Sequence, residues 1–183
     1  MKQNKQIFVK SHKNNILNFN SLGEKWLFLL SKNNMLTKHT FEILLFSKFT
    51  ILKLLEQFYT HMTKIQSIGI PLQICGFDIL GSARTGSGKT IAFSIPIIEF
   101  VHTIKWVNRN GSAAIVLSPT RELTLQSYYV IRDLLSFHSH SYGILMGGAN
   151  KKTEEQKIKS GIGIIIATPG RLLDHLKQNK NFV

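Results

Sequence analysis

Four short apolar runs are spaced along the chain from residue 79 onward. They are Ile79–Ala83, Ala113–Leu117, Tyr142–Met146 and Ile162–Ala167. Each run is continuous rather than alternating with polar residues, which is typical of parallel β-strands buried on both faces. The pattern therefore predicts four strands, and the last is the richest in β-branched residues.

Helical segments are predicted before, between and after these runs. They cover Phe41–Phe58, Lys89–Val101, Arg121–Leu135, Lys151–Lys159 and Arg171–Lys177. Pro96 is expected to kink or break the second of them. Strands that alternate with helices predict an open α/β sheet, and the ligands of such sheets bind at the carboxyl ends of the strands. We therefore expect the turns that follow the strands to lie on one face of the sheet.

Charge changes this picture by pointing to a polyanionic ligand. The 183 residues include 23 Lys and Arg against 10 Asp and Glu, a formal net charge of +13. An excess of this size favours nucleic acid, a nucleotide or an acidic membrane surface as the partner. Residues 1–40 contain seven of the lysines and one glutamate, with no sustained hydrophobic period. We expect 1–40 to be a disordered basic extension, or sequence not native to the domain. The alternative for 1–40 is an RNA-tethering arm. We expect 41–183 to be the domain.

Composition argues against several classes of protein. The single cysteine, Cys75, cannot form an intrachain disulfide, which argues against a disulfide-framed secreted module. No stretch reaches the roughly 18 apolar residues of a membrane span, and we find no apolar core of signal-peptide length near the N-terminus. We expect Cys75 to be a buried apolar residue. We expect His138 and His140 to lie in a solvated loop rather than a metal site, because no cysteine or acidic cluster accompanies them.

The turn after the first run has the composition of a phosphate-binding loop. Its sequence is Ala83-Arg84-Thr85-Gly86-Ser87-Gly88-Lys89-Thr90, between a predicted strand and a predicted helix. The glycines allow backbone N–H groups to approach phosphate oxygens, and the following helix presents its positive end. In this pattern Lys89 reaches the β- and γ-phosphates, and the Thr90 hydroxyl is a ligand of Mg²⁺. The loop alone predicts a protein that binds a nucleoside triphosphate.

Three further motifs follow the later strands, and a fourth precedes the loop. The three are Ser118-Pro119-Thr120-Arg121-Glu122-Leu123, Gly147-Gly148 and Ala167-Thr168-Pro169-Gly170-Arg171. The fourth is Tyr59-Thr60-His61-Met62-Thr63-Lys64-Ile65-Gln66, with Phe41 standing 25 residues before Gln66. Together with the loop, these segments resemble the DEAD-box ATP-dependent RNA helicases, whose Q motif and isolated phenylalanine precede the P-loop. The resemblance covers 41–183 and implies an incomplete N-terminal P-loop NTPase domain, with a RecA-like parallel sheet and helices on both of its faces.

The resemblance implies a role in nucleotide binding for a first set of residues. Gln66 is implied to read adenine, Tyr59 to stack on the ring, and Thr63 with His61 to support the pocket. The loop from Ala83 to Thr90 is implied to bind ATP and Mg²⁺, with Lys89 and Thr90 in the catalytic site and Thr90 on the metal. His61 stands where the family often has arginine, and Phe58 stands where a glycine usually precedes the aromatic residue.

A second set of residues is implied to line an RNA groove. They are Pro119, Thr120, Arg121, Gly147, Gly148, Thr168, Pro169, Gly170 and Arg171. Hydroxyls, helix-start N–H groups and arginines suit phosphate oxygens, so binding is expected to be largely independent of base sequence and sensitive to salt. Surface ion pairs are the alternative for two of these residues, Arg121 with Glu122 and Arg171 with Asp174.

The resemblance also implies parts that the 183 residues do not contain. The Asp-Glu-Ala-Asp motif is expected on the strand after Arg171, followed by a Ser-Ala-Thr motif and a second RecA-like domain. We therefore expect the gene product to hydrolyse ATP and open short RNA duplexes, and the 183-residue chain alone to be inactive. The alternatives are a non-catalytic nucleotide- or RNA-binding fragment, or a P-loop ATPase of another class, such as a DNA helicase or a small kinase.

Two segments carry a finer resemblance, to the nucleolar branch of the family that acts in ribosome assembly. They are Met146–Asn150 and Thr168–Leu176. This likeness implies a location in the nucleus and nucleolus, with the cytoplasm as the alternative. It also implies ribosome-assembly proteins as partners in addition to RNA. We expect a monomer and no membrane partner.

Overall fold

The structure is a computed structural model that describes residues 8–10, 40–178 and 182. The chain divides into two compact units, Met1–Glu99 and Phe100–Val183. Of the predicted basic extension at 1–40, only residues 8–10 and 40 are described, and the rest lies outside the described residues. None of the helices in the described part is long and apolar enough to cross a membrane.

The first unit combines helices with a two-stranded ribbon. Its elements are β1 (Phe8–Lys10), a 3₁₀ turn (Phe41–Ile43), α1 (Lys48–Glu56), α2 (Lys64–Ile74), β2 (Asp78–Leu80) and α3 (Lys89–Thr103), which begins in this unit. β1 and β2 pair antiparallel, with Val9 opposite Ile79. The run predicted as a buried parallel strand is therefore shorter and antiparallel in the described residues. The physical reason is its alternation: Ile79 is half-buried, whereas Asp78 and Leu80 are exposed, as expected for a ribbon rather than a central strand.

The helix predicted over 41–58 is interrupted, and buried polar contacts explain the break. α1 begins only after Ser47, whose Oγ accepts the N–H of Thr50 as an N-cap. The carboxylate of Glu99 accepts hydrogen bonds from the backbone N–H of Ser47 (2.8 Å), its hydroxyl (2.9 Å) and the hydroxyl of Thr50 (2.6 Å). Because these groups are satisfied by Glu99, the chain starts a new helix here instead of continuing the old one. Farther along, α3 runs through Pro96 without ending there, so the predicted break is wrong.

The second unit is a parallel sheet covered by helices. Its elements are β3 (Ala114–Leu117), α4 (Arg121–Leu134), β4 (Tyr142–Leu145), α5 (Lys151–Ser160), β5 (Ile164–Ala167) and α6 (Pro169–Gln178). The strand order is β3-β5-β4, so β5 is central and pairs in parallel with both neighbours. These strands and helices confirm the α/β pattern predicted from the later apolar runs, with ends shifted by a few residues.

The central strand is buried on both faces, which explains its continuous apolar sequence. All four residues of β5 are at most 1% exposed. On one face Ile165 and Ala167 form a cluster with Leu145 and with Leu172 of α6. Ile164 and Ile166 point to the opposite face and are equally buried, and α4 packs against β4 and β5. Burial of apolar side chains on both faces is the main stabilising contribution to this unit.

The carboxyl ends of the three parallel strands are level with one another. Leu117 and Leu145 both stand opposite Ala167 in the strand register. The alignment continues one residue further, because the Ser118 N–H donates to the Ala167 carbonyl and the Thr168 N–H donates to the Leu145 carbonyl, both at 3.0 Å. The turns after these strands therefore emerge along one edge of the sheet, as the sequence predicts for this unit.

Candidate functional site

The predicted phosphate loop lies between β2 and α3 in the first unit. Gly86 (φ +76°) and Gly88 (φ +82°) adopt the left-handed conformation that favours glycine. Lys89, the first residue of α3, folds its side chain back over the loop, and its ammonium donates to the carbonyl oxygens of Ala83 and Arg84. A triphosphate bound at this loop would replace those two carbonyls as the hydrogen-bond partner of the Lys89 ammonium.

Gln66 connects the predicted adenine-reading segment to the phosphate loop. Its side-chain oxygen accepts the Thr63 N–H at 2.8 Å, as in a capping box, and its nitrogen donates to the Gly88 carbonyl at 3.2 Å. A Cβ on Gly88 would lie only 2.4 Å from that nitrogen, so glycine is required for this approach. Gln66 is 3% exposed. An amide has two N–H groups and two oxygen lone pairs, so each end keeps the capacity for one further bond to a base edge.

The chemistry of the loop side chains fits a phosphate and its metal ion. The Ser87 hydroxyl oxygen is buried and has no hydrogen-bond partner in the described part of the chain. Thr90 places a half-exposed hydroxyl in the first turn of α3. A bound Mg²⁺ would be held by the Thr90 hydroxyl and would neutralise phosphate charge. The positive end of α3 supports the same negative ligand.

Phe41 and Tyr59 line one small cavity in the first unit. The cavity has a volume of about 150 Å³ and is also lined by Leu54 and Thr60. Phe41 is buried (3% exposed), whereas Tyr59 is 42% exposed and can present a ring face to a ligand. His61 lies beside them, bonded through Nδ1 to the Thr60 hydroxyl (2.9 Å). The structure thus brings together the two aromatic residues that the sequence places 18 positions apart.

The unusual Phe58 adopts the backbone conformation that a glycine would favour. Its φ is +59°, in the left-handed region, and its side chain is 88% exposed. A bulky residue in this conformation carries a steric cost of roughly 1–2 kcal/mol. The turn before Tyr59 therefore holds a non-glycine residue in a glycine-type conformation, at a cost in backbone strain.

In the second unit, all the predicted RNA-contacting residues emerge at the carboxyl edge of the parallel sheet. Pro119 to Arg121 follow β3, the two glycines follow β4, and Thr168 to Arg171 follow β5. Thr120 is the N-cap of α4, where its hydroxyl accepts the Leu123 N–H at 3.3 Å. Pro169 and Gly170 are exposed in the first turn of α6. Two helix starts and a glycine turn at one edge provide N–H and hydroxyl groups of the kind that contact phosphate.

The glycine pair makes room for the Arg121 side chain. A Cβ on Gly148 would lie 2.8 Å from Nη1 of Arg121, and a Cβ on Gly147 would lie 3.1 Å from its Nη2. Gly148 also has a φ of +88°. The guanidinium is therefore held over the backbone of the turn after β4. The structure places the Arg121 side chain against these glycines, and the approach of a nucleic-acid chain to them stays a prediction.

Arg171 is engaged inside the unit. Its Nε donates to Glu154 at 2.7 Å and its Nη2 donates to the Ala149 carbonyl at 2.9 Å. Its side chain is only 13% exposed. The same carboxylate accepts the Nε2–H of the fully buried His175 at 2.6 Å and the backbone N–H of Met146 at 3.2 Å. The surface pair with Asp174 is therefore replaced by a buried pair with Glu154, and contact of Arg171 with RNA stays a prediction.

Sequence reasoning missed three functional or organising residues. Glu154, in a polar helix, is only 4% exposed. Glu99 is a lone acid in an apolar helical stretch, and such an isolated charge is a usable signal for a buried hydrogen-bond acceptor. His102 lies within 4.8 Å, ligand atom to ligand atom, of His138 and His140. No sequence spacing connects His102 with His138 and His140, because His102 lies in α3 and the other two lie in the loop before β4.

Comparison with known proteins agrees with this geometry. The DEAD/DEAH box helicase family matches residues 63–183. An ATP-dependent RNA helicase, HAS1, from Saccharomyces cerevisiae is 50% identical over 143 residues, covering 78% of this chain and 28% of that protein. HAS1 from Gibberella zeae is 51% identical over 144 residues (79% and 24%). DEAD-box ATP-dependent RNA helicase 27 from Arabidopsis thaliana is 44% identical over 154 residues (84% and 24%).

The fold has a counterpart among solved structures. The crystal structure of a DEAD box protein from the hyperthermophile Methanococcus jannaschii superimposes with a TM-score of 0.65 at 32% identity, covering 78% of this chain and 38% of that one. The chain spans about a quarter of the length of the curated relatives it matches. With its phosphate loop, its linked glutamine and the three turns at one sheet edge, the chain belongs to the DEAD/DEAH box helicase family.

Proposed function

We propose that this chain supplies the ATP-binding loop and an RNA-backbone-binding edge of an ATP-dependent RNA helicase. Residues 41–183 are the part of its N-terminal RecA-like domain that holds both features. The observation that carries the proposal is the meeting of the turns after β3, β4 and β5 at one edge, in a chain that also contains a phosphate loop. A kinase or another P-loop ATPase would leave that edge without a role.

ATP is the proposed nucleotide because of Gln66. The Gln66 amide is fixed at the Gly88 carbonyl, where one remaining N–H and one remaining lone pair match the donor and acceptor on the edge of adenine. Guanine presents the opposite pattern, so GTP is expected to bind less tightly. Tyr59 stacks on the base, and the residues from Ala83 to Thr90 hold the triphosphate with Mg²⁺ on Thr90. Lys89 moves from the loop carbonyls to the phosphates.

Nucleotide binding is tested with a fluorescent ATP analogue and the 183-residue chain. Lys89→Ala is expected to weaken binding at least tenfold, since a charge-assisted phosphate contact contributes about 1.5–3 kcal/mol. Lys177→Ala, which removes an exposed lysine from the far end of α6, is the control for net charge. Equal affinities for the two variants, or no preference for ATP over GTP, would contradict the nucleotide assignment.

RNA binding is proposed to be independent of base sequence and mediated by the backbone. We expect Arg121→Ala to weaken binding of a single-stranded oligoribonucleotide and to reduce the salt slope by about one phosphate contact. Arg132→Ala is the matched control, because Arg132 carries the same charge at the opposite end of the same helix and pairs with Asp133. Equal losses for the two arginines would mean that general charge, and not the sheet edge, attracts RNA.

Two finer assignments belong to the same proposal. The 183-residue chain by itself is expected to show no RNA-stimulated ATP turnover, and steady turnover by the pure chain would overturn that expectation.

The segments Met146–Asn150 and Thr168–Leu176 support a nuclear and nucleolar role in ribosome assembly, with ribosome-assembly proteins as partners. Imaging of the tagged gene product against a nucleolar marker tests the location.

A further inference from the structure

Three histidines of the second unit converge on one point. His102 lies in the last turn of α3, and His138 and His140 lie in the loop that leads from α4 to β4. One nitrogen from each ring lies within 4.8 Å of the other two. The ring centroids are 5.4 Å (His102–His138), 5.8 Å (His102–His140) and 5.7 Å (His138–His140) apart. The three rings therefore form a nearly equilateral triangle.

The local backbone explains why both loop histidines face the same way. His138 has φ −98° and ψ 154°, an extended conformation. In extended chain, residues two apart project to the same side. The His138 N–H donates to the Leu135 carbonyl at 2.8 Å, which fixes the start of the loop to the end of the preceding helix. The His-Ser-His sequence thus presents a pair of imidazoles toward His102.

The dimensions of the triangle fit a tetrahedral metal centre with one open position. Zinc binds imidazole nitrogen at about 2.0–2.1 Å, which places tetrahedral ligand atoms about 3.3–3.4 Å apart and ring centroids about 5 Å apart. The observed centroid separations exceed that figure by less than about 1 Å. Rotation of the side chains would close this gap, and none of the three rings is fully buried.

Three imidazole ligands favour some metal ions over others. Imidazole suits zinc, copper, nickel and cobalt, whereas magnesium and calcium require oxygen ligands. Burial, together with the neighbouring His102 and His140, lowers the pKa of His138 to about 4. A neutral imidazole is the form that binds a metal.

We propose that His102, His138 and His140 form a binding site for a divalent transition-metal ion of the zinc type, with water as the fourth ligand. The proposed ligands include no residue of the phosphate loop. The effect of the site is to fasten the end of α3 to the loop that precedes β4, and so to fix the entrance to an outer strand of the parallel sheet.

The test uses the full 183-residue chain, first stripped with a chelator and then titrated with zinc chloride by calorimetry. We expect one zinc ion per chain with a dissociation constant in the micromolar range or below. Zinc at about 100 times that constant should raise Tm by roughly 5 °C or more. His102→Ala, His138→Ala and His140→Ala should each weaken zinc binding at least tenfold and abolish the rise in Tm.

Ser139→Ala is the matched control, because Ser139 is exposed between the two loop histidines and is not a proposed ligand. It should bind zinc as the unaltered chain does. X-ray absorption of the zinc-loaded chain provides a readout that does not depend on the variants folding, with three imidazole nitrogens expected at about 2.0 Å. The proposal is overturned by fewer than three imidazoles on the ion, by a histidine variant that binds zinc as tightly as the unaltered chain, or by the absence of stoichiometric binding.

Discussion

Replacement of Glu154 by alanine should destabilise the second unit more than any nearby surface change. The carboxylate accepts hydrogen bonds from Arg171 (2.7 Å), His175 (2.6 Å) and the Met146 N–H (3.2 Å). Water cannot replace it freely, because the His175 side chain is 0% and the Arg171 side chain 13% exposed. The change removes the shared carboxylate from a buried imidazole and a nearly buried guanidinium, and leaves the guanidinium its bond to the Ala149 carbonyl.

The expected loss in the free energy of unfolding is about 3–5 kcal/mol, as measured for buried ion pairs that lose one partner. The direct Coulomb attraction is not the source of that figure, since burial of the pair itself has a desolvation cost. Glu155→Ala is the matched control: it removes the same charge one position along the same helix, where the side chain is half-exposed and surface substitutions cost about 0.5 kcal/mol or less. Urea unfolding followed by far-UV circular dichroism measures both variants.

Two further variants separate charge from volume. Glu154→Gln keeps the packing and loses the charge, so its loss should fall between those of Glu155→Ala and Glu154→Ala. In a double-mutant cycle, Arg171→Ala should cost less in the Glu154→Ala background than in the unaltered chain, by about 0.5–3 kcal/mol. A loss below about 1 kcal/mol for Glu154→Ala, or strict additivity with Arg171→Ala, would refute the reasoning that this acid organises the sheet edge.

Three other predictions concern backbone conformation and thiol ionisation. Phe58→Gly should raise stability in urea by about 1 kcal/mol by relieving the left-handed φ of +59°, whereas Phe58→Ala should change little because the ring is exposed. Gly148→Ala should lower the free energy of unfolding by about 1–2 kcal/mol, because its φ is +88° and its Cβ would meet Arg121. Gly170→Ala should cause no such loss, because the space around Gly170 is open. Burial raises the pKa of Cys75, so less thiolate exists at pH 8 and iodoacetamide should alkylate it more slowly than it alkylates the urea-unfolded chain; equal rates would contradict this.

Local sequence features were enough to predict the later elements of the fold. The helix over Arg121–Leu134 was expected to end one residue later, and its N-cap is the threonine that the motif suggests. The runs at 113–117, 142–146 and 162–167 became parallel strands because they are too apolar to tolerate solvent on either face. The phosphate-loop motif could also be identified from the sequence, because such a loop depends on glycine conformation and helix polarity. Both are local properties.

Long-range contacts explain where the sequence prediction was wrong. The helix over 41–58 is interrupted because Glu99, some fifty positions away, supplies acceptors to Ser47 and Thr50. The run after residue 78 pairs antiparallel with residues 8–10, which the sequence placed in an extension without regular structure. The isolated Glu99 indicates a buried acceptor, but the local pattern does not identify the partner in either contact, because each partner is chosen by folding.

The sequence by itself determined the family of this chain, its phosphate loop and the edge at which its turns meet. These depend on residue type and on the alternation of strand and helix, which act over a few positions. Only the tertiary structure decided that Arg171 is held by a buried Glu154, that Arg121 covers the glycine pair, and that His102 meets the two histidines of a distant loop. Burial and close approach are properties of the folded chain, because they arise when distant segments exclude water from between them.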